Sequence, residues 1–294
     1  MVEGKTKQIL EGPEPGTVVL LAKDRLTGGD AAKVAEIPGI GAWKTTQTAN
    51  VFALLRNSGV PTAFIRQLDE RSLLCADCEM VPVEYVVRRY GWGSYRARHP
   101  ETPAVPTPFD ELVVERFYKH ALVLPPAVAE PEVLEESVAR SKYLSNGRWA
   151  EGVHTDPYVQ IRDDGWYLHS AKRPEPERDG GYPIKAPVSG TADATIVQEV
   201  LLPAFRAIED AWRDVTTEHG QVVLVDCKFE IGKRRSDGAL VLSDVVDNDS
   251  WRIWAGGDPK RQLDKQRFRD GAPLPEVANA YKLVAELTSR FSAE

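Results

Sequence analysis

One segment of the sequence alternates charged and apolar residues in a way that could support chemistry. It reads LVDCKFEI over residues 224–231. In a β-strand, alternate side chains share a face, so Asp226, Lys228 and Glu230 would point one way and the apolar residues the other. Three charges on one face are costly to bury unless they are paired. The charged face is therefore either open to solvent or a shared site.

A further carboxylate, Asp244, lies on the next predicted strand. A polar turn over residues 233–238 would fold that strand back as a hairpin, which brings Asp244 toward the charges of the first strand. Glu230 and Asp244 together with Lys228 would suit Mg²⁺ that bridges nucleotide phosphates, because Mg²⁺ prefers oxygen ligands and lysine offers phosphate a point charge. From the pattern alone, an exposed hairpin with surface salt bridges is an equal alternative.

A glycine–lysine loop lies near the N-terminus, ahead of a strand-turn-strand pattern. It reads EGKTK over residues 3–7, where Gly4 would let the backbone approach a phosphate and Lys5 and Lys7 would supply charge. The glycine-rich loop that covers phosphates in protein kinases is a closer analogy than a Walker A loop. A solvated turn is the simpler alternative, because short Gly-Lys pairs occur in many turns.

Two arginine-containing segments could bind anions. In VVRRYGWGS, residues 86–94, Arg88 offers a bidentate match to phosphate or carboxylate and Ser94 adds a hydroxyl. In DSWRIW, residues 249–254, Arg252 lies among aromatic residues, which favours a paired or ligand-facing role. Lys265 would share a helix face with Arg269. The alternatives are a basic strand end for the first segment and a solvated helix face for Lys265.

Strands and helices together must position these residues. Alternation and turn residues predict strands over 8–11, 17–23, 60–67, 80–89, 221–231 and 239–245. Apolar residues at helical spacing predict helices over 46–58, 195–217 and 275–291. Proline- and glycine-rich stretches at 100–135 and 170–190 read as excursions rather than independent domains. The pattern is typical of a mixed α+β protein with a strand-rich N-terminal part.

Composition narrows the functional class. The 294 residues carry a net charge of -7, which argues against a general nucleic-acid binder because phosphate neutralisation needs clustered Lys and Arg. No apolar run approaches the ~20 residues that span a bilayer. Residues 1–7 are polar and lack the apolar core of a signal peptide. We therefore expect a cytoplasmic enzyme with small-molecule partners and no nucleic-acid or membrane partner.

The cysteines do not indicate a metal site or a disulfide framework. Cys75 and Cys78 form a lone CADC pair, and neither Cys227 nor the five histidines add ligands at zinc spacing. Ordinary packing is therefore favoured over a thiolate metal site or a redox role.

Taken together and in order, these segments resemble the SAICAR synthetase family (phosphoribosylaminoimidazole-succinocarboxamide synthase), particularly its animal-type branch. The resemblance is carried by EGKTK, KDRLTGGDAAK, CEMVPVEYVVRR, LVDCKFEIG, LSDVVDNDSWRIW and DKQRFRD. It covers most of the chain except roughly residues 120–190. Because several independent matches in one order are improbable by chance, the resemblance favours the metal and phosphate sites over the solvated alternatives.

The resemblance implies a two-lobed fold, similar to kinases and ATP-grasp enzymes, with antiparallel sheets and a nucleotide cleft between the lobes. It places a strand-rich N-terminal lobe with the phosphate loop at 1–90 and a C-terminal α+β lobe with the metal and substrate site at 91–294, which includes an excursion at about 120–190. It also implies ATP and Mg²⁺. The implied activity is a ligase that joins a ribonucleotide carboxylate to the amine of L-aspartate through an acyl phosphate.

The same resemblance implies roles for residues at matching positions. Those implied for ATP are Gly4, Lys5 and Lys7 at the phosphates and Glu79, Met80 and Val81, by their backbone, at adenine. Glu230 and Asp244 would bind Mg²⁺. The implied catalytic residues are Asp226 and Lys228, at the reacting carboxylate and phosphates, and Arg252, near the imidazole carboxylate. Arg88 and Ser94 would hold the substrate 5′-phosphate, and Lys265 would also bind substrate.

Two departures from the family pattern lie where substrates would be recognised. The family usually has Gly-Lys-Gly or Gly-Lys-Ala before its first helix, whereas this chain has Ile40 in place of the lysine, with Lys44 as a stand-in. The small residue that precedes Gly-Ser in the family is Trp92 here. These departures leave open a paralogue that uses the same chemistry on another acid or amine, for example in nucleoside-antibiotic metabolism.

A small-molecule kinase is a further alternative to the ligase. The sequence is also compatible with a homo-oligomer.

Overall fold

The computed structural model describes residues 2–28, 33–170 and 180–292. Residues 29–32 of the KDRLTGGDAAK segment lie outside the described residues, as do residues 171–179 of the second excursion. The chain divides into two compact units. Unit one consists of Met1–Met80 and Ala194–Glu294, and unit two consists of Val81–Asp193.

This division differs from the boundary near residue 90 that the resemblance implied. The C-terminal strands fold together with the N-terminal part of the chain, because Leu242 hydrogen-bonds on both sides to the segment that follows the first helix. Its amide donates to the Pro61 carbonyl at 2.9 Å, and its carbonyl accepts from the Ala63 amide at 2.8 Å. Residues from both ends of the sequence therefore build unit one.

The strands occur mostly in consecutive runs, with helices between the runs. The strands are β1 Val2–Glu3, β2 Lys7–Glu11, β3 Thr17–Ala22, β4 Arg25–Gly28, β5 Lys33–Glu36, β6 Phe64–Asp69, β7 Ser72–Ala76, β8 Cys78–Tyr90, β9 Pro108–Tyr118, β10 His120–Val123, β11 Glu132–Glu135, β12 Leu144–Ser145, β13 Arg148–Trp149, β14 Val153–Thr155, β15 Tyr158–Arg162, β16 Gly165–His169, β17 Tyr182–Ile184, β18 Thr216–Thr217, β19 Gly220–Arg234, β20 Leu240–Ser243 and β21 Trp251–Ala255. The helices are α1 Ile40–Asn57, α2 Ser94–Arg98, α3 Glu136–Tyr143, α4 Gly190–Thr195, a π-helix Ile196–Leu201, α5 Leu202–Arg213, α6 Gln266–Arg269, α7 Leu274–Thr288 and a 3₁₀ helix Ser289–Ser292.

The described strands of unit one form three antiparallel arrangements, of which the β4–β5 pair is the smallest. In the first, five strands run in the order β1-β2-β3-β7-β6. In the second, β19 pairs with β18, β20 and β21. Both faces of β19 are largely covered, since the charged residues Asp226 and Glu230 are buried like the apolar Phe229 between them. A strand buried on both faces can hold charges only where they are paired.

Helix α1 begins at Ile40, earlier than the predicted start at residue 46. Gly39 precedes it with φ 87°, a left-handed conformation that glycine adopts without strain. The Gly41 amide donates to Asp24 Oδ1 at 2.9 Å, which satisfies one of the amides that a helix N-terminus leaves without a partner. Ile40 packs in a buried apolar cluster with Leu26, Ile37, Phe268, Val277 and Tyr281.

The predicted helix over 195–217 is shorter and less regular than the sequence pattern indicates. Its first turns form the π-helix, and α5 ends at Arg213. The Val215 amide then donates to the Trp212 carbonyl, and Thr216 already pairs with Gln221 in β19. Sheet pairing therefore takes the last residues that the apolar periodicity assigned to the helix.

Unit two is built mainly from antiparallel strands. One sheet has the order β17-β16-β15-β9-β8, and a smaller one has the order β11-β10-β14. The smaller sheet and α3 bury Ala121, Val123 and Ala139. Much of the predicted excursion is therefore regular structure within unit two.

Mixed helices and antiparallel sheets confirm the predicted α+β class. Within the described part of the chain, no helix combines the length and apolar character needed to cross a bilayer.

Candidate active site

The carboxylates of the predicted metal pair lie on neighbouring strands. Glu230 in β19 is opposite Ser243 in β20, so Asp244 follows directly beside it at the end of β20. Asp244 has φ 60°, in the left-handed region that non-glycine residues rarely adopt. Such backbone strain persists where surrounding structure enforces it, and it often marks a functional site.

Each carboxylate of this pair is bound by a lysine. Lys228 Nζ lies 2.8 Å from Glu230 Oε1 on the same face of β19. Lys7 in β2 donates to Asp244 Oδ1. The N-terminal loop and the central hairpin, which the sequence indicated as separate signals, therefore meet in one site within unit one.

Asp226 and Arg252 form the adjacent ion pair. They are opposite each other in the β19–β21 ladder, just after an irregularity between Leu224 and Asp226. Arg252 Nη1 donates to Asp226 Oδ2. Asp226 and Glu230 are each only 6% exposed. An exposed salt-bridged hairpin does not describe these two residues, because both carboxylates are buried and paired, whereas Lys228 between them is partly buried.

A third cluster joins Asp249 to two lysines and a tyrosine. Lys265 Nζ lies 3.4 Å and Lys44 Nζ 3.7 Å from Asp249 Oδ2, and the Tyr281 hydroxyl donates to Oδ1 at 2.6 Å. Burial disfavours the Asp249 carboxylate, but the two ammonium groups and the tyrosine hold its pKa below the usual range. Lys265 does not share a helix face with Arg269 as predicted, because Lys265 is buried just before α6 and Arg269 is exposed.

The cluster borders a small cavity that also contains Lys7. The cavity has a volume of about 20 Å³, close to the space that one water molecule needs. It is lined by Thr6, Lys7, Leu20, Ala22, Lys44, Thr45, Thr48, Leu73, Val245 and Asp247. Burial and the nearby charge of Asp249 raise the pKa of Asp247 to about 6. Lys7 and Lys44 thus bring positive charge into a confined space near Asp244.

The loop ahead of β2 is held by hydrogen bonds at its base. The Gly4 amide donates to the Lys7 carbonyl at 2.9 Å, and Lys23 Nζ donates to the Gly4 carbonyl at 3.0 Å. Gly4 and Lys5 are exposed, while Lys7 is partly buried at Asp244. Among the residues expected at adenine, Glu79 and Met80 are exposed and Val81 is buried.

Unit two contains the residues predicted to bind a phosphate. Arg88 Nη2 donates to Ser94 Oγ at 3.1 Å. Arg88 Nε donates to Glu115 Oε2, while Arg98 donates to Glu115 Oε1. Two buried guanidinium groups therefore share Glu115, and the cluster of these three groups retains a net positive charge that favours an anion. Glu115 and Arg98 were not singled out from the sequence, because they lie on separate elements.

The cysteines behave as packing residues. Burial raises the pKa of Cys75 to about 12 and also raises the pKa values of Cys78 and Cys227. Among the described residues, no group of three or more His, Cys, Asp or Glu side chains could hold a metal ion by itself. A structural zinc site would require such a group.

Comparison with known proteins identifies the family. The family model described as SAICAR synthetase matches residues 1–147 and 187–287. The chain belongs to the SAICAR synthetase family. Of the residues outside this match, 148–186 fall inside the excursion predicted at about 120–190.

Relatives of this family match along the whole chain. The phosphoribosylaminoimidazole-succinocarboxamide synthase of Chloroflexus aurantiacus is 35% identical, and the alignment covers 100% of this chain and 97% of the relative. The bifunctional carboxylase/synthetase of Drosophila melanogaster is 30% identical over 93% of this chain and 52% of the relative. Bacterial and animal members both match, so the resemblance is not particular to the animal-type branch.

Solved structures of the SAICAR synthetase family share the fold. The structure titled "SAICAR synthetase (Type-2) in complex with ADP" aligns with a TM-score of 0.68 and 24% identity, covering 100% of this chain and 97% of that one. The chain is thus an ATP-dependent C–N ligase of the SAICAR synthetase family, as predicted. The comparisons give no support to the kinase or paralogue alternatives.

Proposed function

We propose that this protein joins the carboxylate of a carboxylated imidazole ribonucleotide to the α-amine of L-aspartate at the expense of ATP. A carboxylate oxygen attacks the γ-phosphorus and ADP leaves, which gives an acyl phosphate. The aspartate amine then attacks the acyl carbon, a proton is lost from nitrogen, and inorganic phosphate leaves. The lysine-paired carboxylates of the buried Glu230 and the partly buried Asp244 are the observation that carries this proposal.

The donor set of this site fits Mg²⁺. Glu230 and Asp244 offer hard oxygen ligands on neighbouring strands, and each already accepts a positive partner. Proteins commonly bind Mg²⁺ through one or two carboxylates plus substrate phosphates rather than through a complete protein cage. We propose that Glu230 and Asp244 hold the metal, which would supply charge neutralisation at the transferred phosphoryl group.

The surrounding cations would neutralise and orient the reacting groups. Lys7, with Gly4 and Lys5 in the same loop, would bind the ATP phosphates. Asp226, Lys228 and Arg252 line β19 and β21 beside the carboxylate pair, which supports contact with the acid substrate and the phosphoryl group. No protein base is required if the amine arrives deprotonated, so positioning and electrostatic stabilisation would provide most of the rate acceleration.

Further contacts would bind the remaining parts of the two nucleotides. The shared Glu115 holds Arg88 in place beside Ser94, which supports an anion site for the 5′-phosphate of the acid substrate. Lys265 would contact the same substrate. Glu79, Met80 and Val81 would contact adenine through their backbone. The partners would be small molecules, and the location would be cytoplasmic.

A labelled-substrate assay tests this function. The purified protein would be incubated with 5-aminoimidazole-4-carboxylate ribonucleotide, ATP, Mg²⁺ and ¹⁵N-aspartate, followed by mass spectrometry of the products. We expect one ADP, one phosphate and one ¹⁵N-labelled amide per turnover.

Two other outcomes would contradict this proposal in different ways. A stable phosphorylated product without ¹⁵N incorporation would identify a small-molecule kinase. No reaction with this acid, but ADP and amide formation with a different acid or amine, would identify a paralogue with altered substrate recognition. The second result would retain the ligase chemistry and reject the proposed substrate.

A further inference from the structure

Helix α1 places a lysine in the interior of unit one. Lys44 is only 4% exposed, although lysine is rarely buried without partners. Its ammonium group donates to the Arg25 carbonyl at 3.3 Å and lies 3.7 Å from Asp249 Oδ2. A buried ammonium costs desolvation free energy, so its persistence points to a specific electrostatic role.

The position of Lys44 follows from what surrounds the start of the helix. Ile40, one turn earlier on the same helix face, is fully buried against Leu26, Phe268 and other apolar residues. A lysine at position 40 would meet this apolar cluster. At position 44, one turn later, the side chain reaches polar partners and lines the cavity that contains Lys7 and Asp247.

Lys44 and Lys265 compete for one oxygen atom. Both ammonium groups face Asp249 Oδ2, at 3.7 Å and 3.4 Å, while the Tyr281 hydroxyl occupies Oδ1. Two positive charges therefore share one negative charge at this carboxylate. If Lys44 were absent, Asp249 would pair more closely with Lys265, because the competing charge and its repulsion would be gone.

We propose that Lys44 is a positioning residue that shares Asp249 with Lys265 and so keeps the Lys265 ammonium group available to the anionic acid substrate. The inference rests on the proposed function, in which Lys265 contacts this substrate. It adds a residue that would not touch substrate itself and would act through Asp249. Lys44 would thereby set the affinity for the acid substrate more than the rate of the chemical steps.

Steady-state kinetics of Lys44→Met and Lys44→Arg test the proposal. We expect Lys44→Met to raise KM for the acid substrate about tenfold, the scale of one lost charged interaction. The kcat and the KM for ATP should stay within about twofold of wild type, because in this proposal Lys44 contacts neither ATP nor the reacting atoms. Lys44→Arg, which keeps the charge, should restore most of the KM. Lys282→Met in α7 is the matched control, because Lys282 is exposed and lies next to Tyr281.

A double-mutant cycle separates this role from a purely structural one. If Lys44 acts through Asp249, adding Lys44→Met to Asp249→Asn should leave the KM for the acid substrate unchanged. If the effects of the two substitutions on this KM simply add, the proposal is overturned. It is also overturned if Lys44→Met raises the KM for ATP as much as the KM for the acid substrate, or if it changes neither. Melting temperatures identify any variant that fails to fold. If Lys44→Met does not fold, the KM values of Lys44→Gln and Lys44→Arg for the acid substrate are compared instead.

The wild-type measurement distinguishes the two proposals. Wild-type turnover with unchanged kinetics in Lys44→Met would refute the role of Lys44 and leave the proposed function intact. A folded wild-type protein that does not turn over these substrates would refute the proposed function, and the inference about Lys44 would fall with it.

Discussion

Lys7 and Asp244 are 237 residues apart in the chain and form a direct ion pair within unit one. Lys7 follows the glycine loop at the start of β2, and Asp244 directly follows β20 in a left-handed backbone conformation. The pair joins the expected phosphate loop to the expected metal site. This connection is the structural basis for treating the two signals as one active site.

The first prediction concerns the carboxylates of that site. Glu230→Gln and Asp244→Asn should each reduce turnover by on the order of 10³-fold, because each removes a negative charge where Mg²⁺ and phosphates would bind. The measurement is kcat at saturating ATP and Mg²⁺, with circular dichroism to check folding. Asp237→Asn is the control, since Asp237 lies in the exposed turn of the same hairpin and pairs with Arg234. Near-normal turnover in either active-site variant would contradict the metal assignment.

The second prediction concerns Glu115 in unit two. Glu115→Gln should lower the free energy of unfolding by about 3 kcal/mol, because Arg88 and Arg98 would lose the buried carboxylate that they share. Urea denaturation of the variant and of Glu111→Gln, an exposed change on the same strand, measures the difference. If Glu115→Gln and Glu111→Gln have the same free energy of unfolding, the prediction is contradicted. The Glu115 carboxylate would then not stabilise the two buried guanidinium groups.

The third prediction is a pH dependence of stability at Asp247. Its pKa is raised from 3.8 to about 6 by burial and by the charge of Asp249. The folded protein therefore binds this proton more tightly than the unfolded chain. The Asp247 contribution to stability is present below about pH 4 and is lost as pH rises toward about 6.

The Asp247→Asn variant has no carboxyl group at this position that could ionise. Its free energy of unfolding therefore does not fall for this reason as pH rises. The free energy of unfolding of the variant relative to wild type should rise across the window from pH 4 to pH 6, by on the order of 1–3 kcal/mol. Urea denaturation in metal-free buffer at several pH values measures the difference, with the exposed Asp210→Asn as control. A difference that stays constant between pH 4 and pH 7 would contradict the raised pKa.

These predictions depend on contacts that the sequence revealed only in part. Alternation along β19 predicted that Asp226, Lys228 and Glu230 share a face, and the turn predicted the approach of Asp244. The shift between Leu224 and Asp226, which sets Asp226 opposite Arg252, has no sequence signature. Strand registers depend on packing across the whole sheet, which local patterns do not specify.

The Asp249 cluster shows a second limit of the sequence. Lys44 comes from α1, Asp249 from the loop before β21, and Lys265 from the residue before α6. No spacing rule connects them, since helical and strand periodicities describe one element at a time. The short stretch DNDS did place acidic residues after Asp244, but the hydrogen bond that selects Asp249 for this cluster comes from Tyr281 in α7.

The fourth prediction concerns the thiols. Because burial raises the pKa values of Cys75, Cys78 and Cys227, native protein at pH 7 should react slowly with an aromatic disulfide reagent and rapidly after unfolding. Cys78→Ser should leave turnover within about twofold of wild type, as for a substitution away from the reaction. Fast reaction of the native thiols, or a large loss of turnover in Cys78→Ser, would point to a role for the CADC pair in catalysis or metal binding.

The transfer of oxygen from the acid to phosphate tests the central claim most directly. With both carboxylate oxygens of the acid substrate labelled by ¹⁸O, the acyl-phosphate route places one label in the phosphate that aspartate displaces and retains the other in the amide. We predict one ¹⁸O in each released phosphate, measured by mass spectrometry, at the same rate as amide formation. Unlabelled phosphate released together with amide would contradict activation of the carboxylate by ATP and, with it, the mechanism assigned to this site.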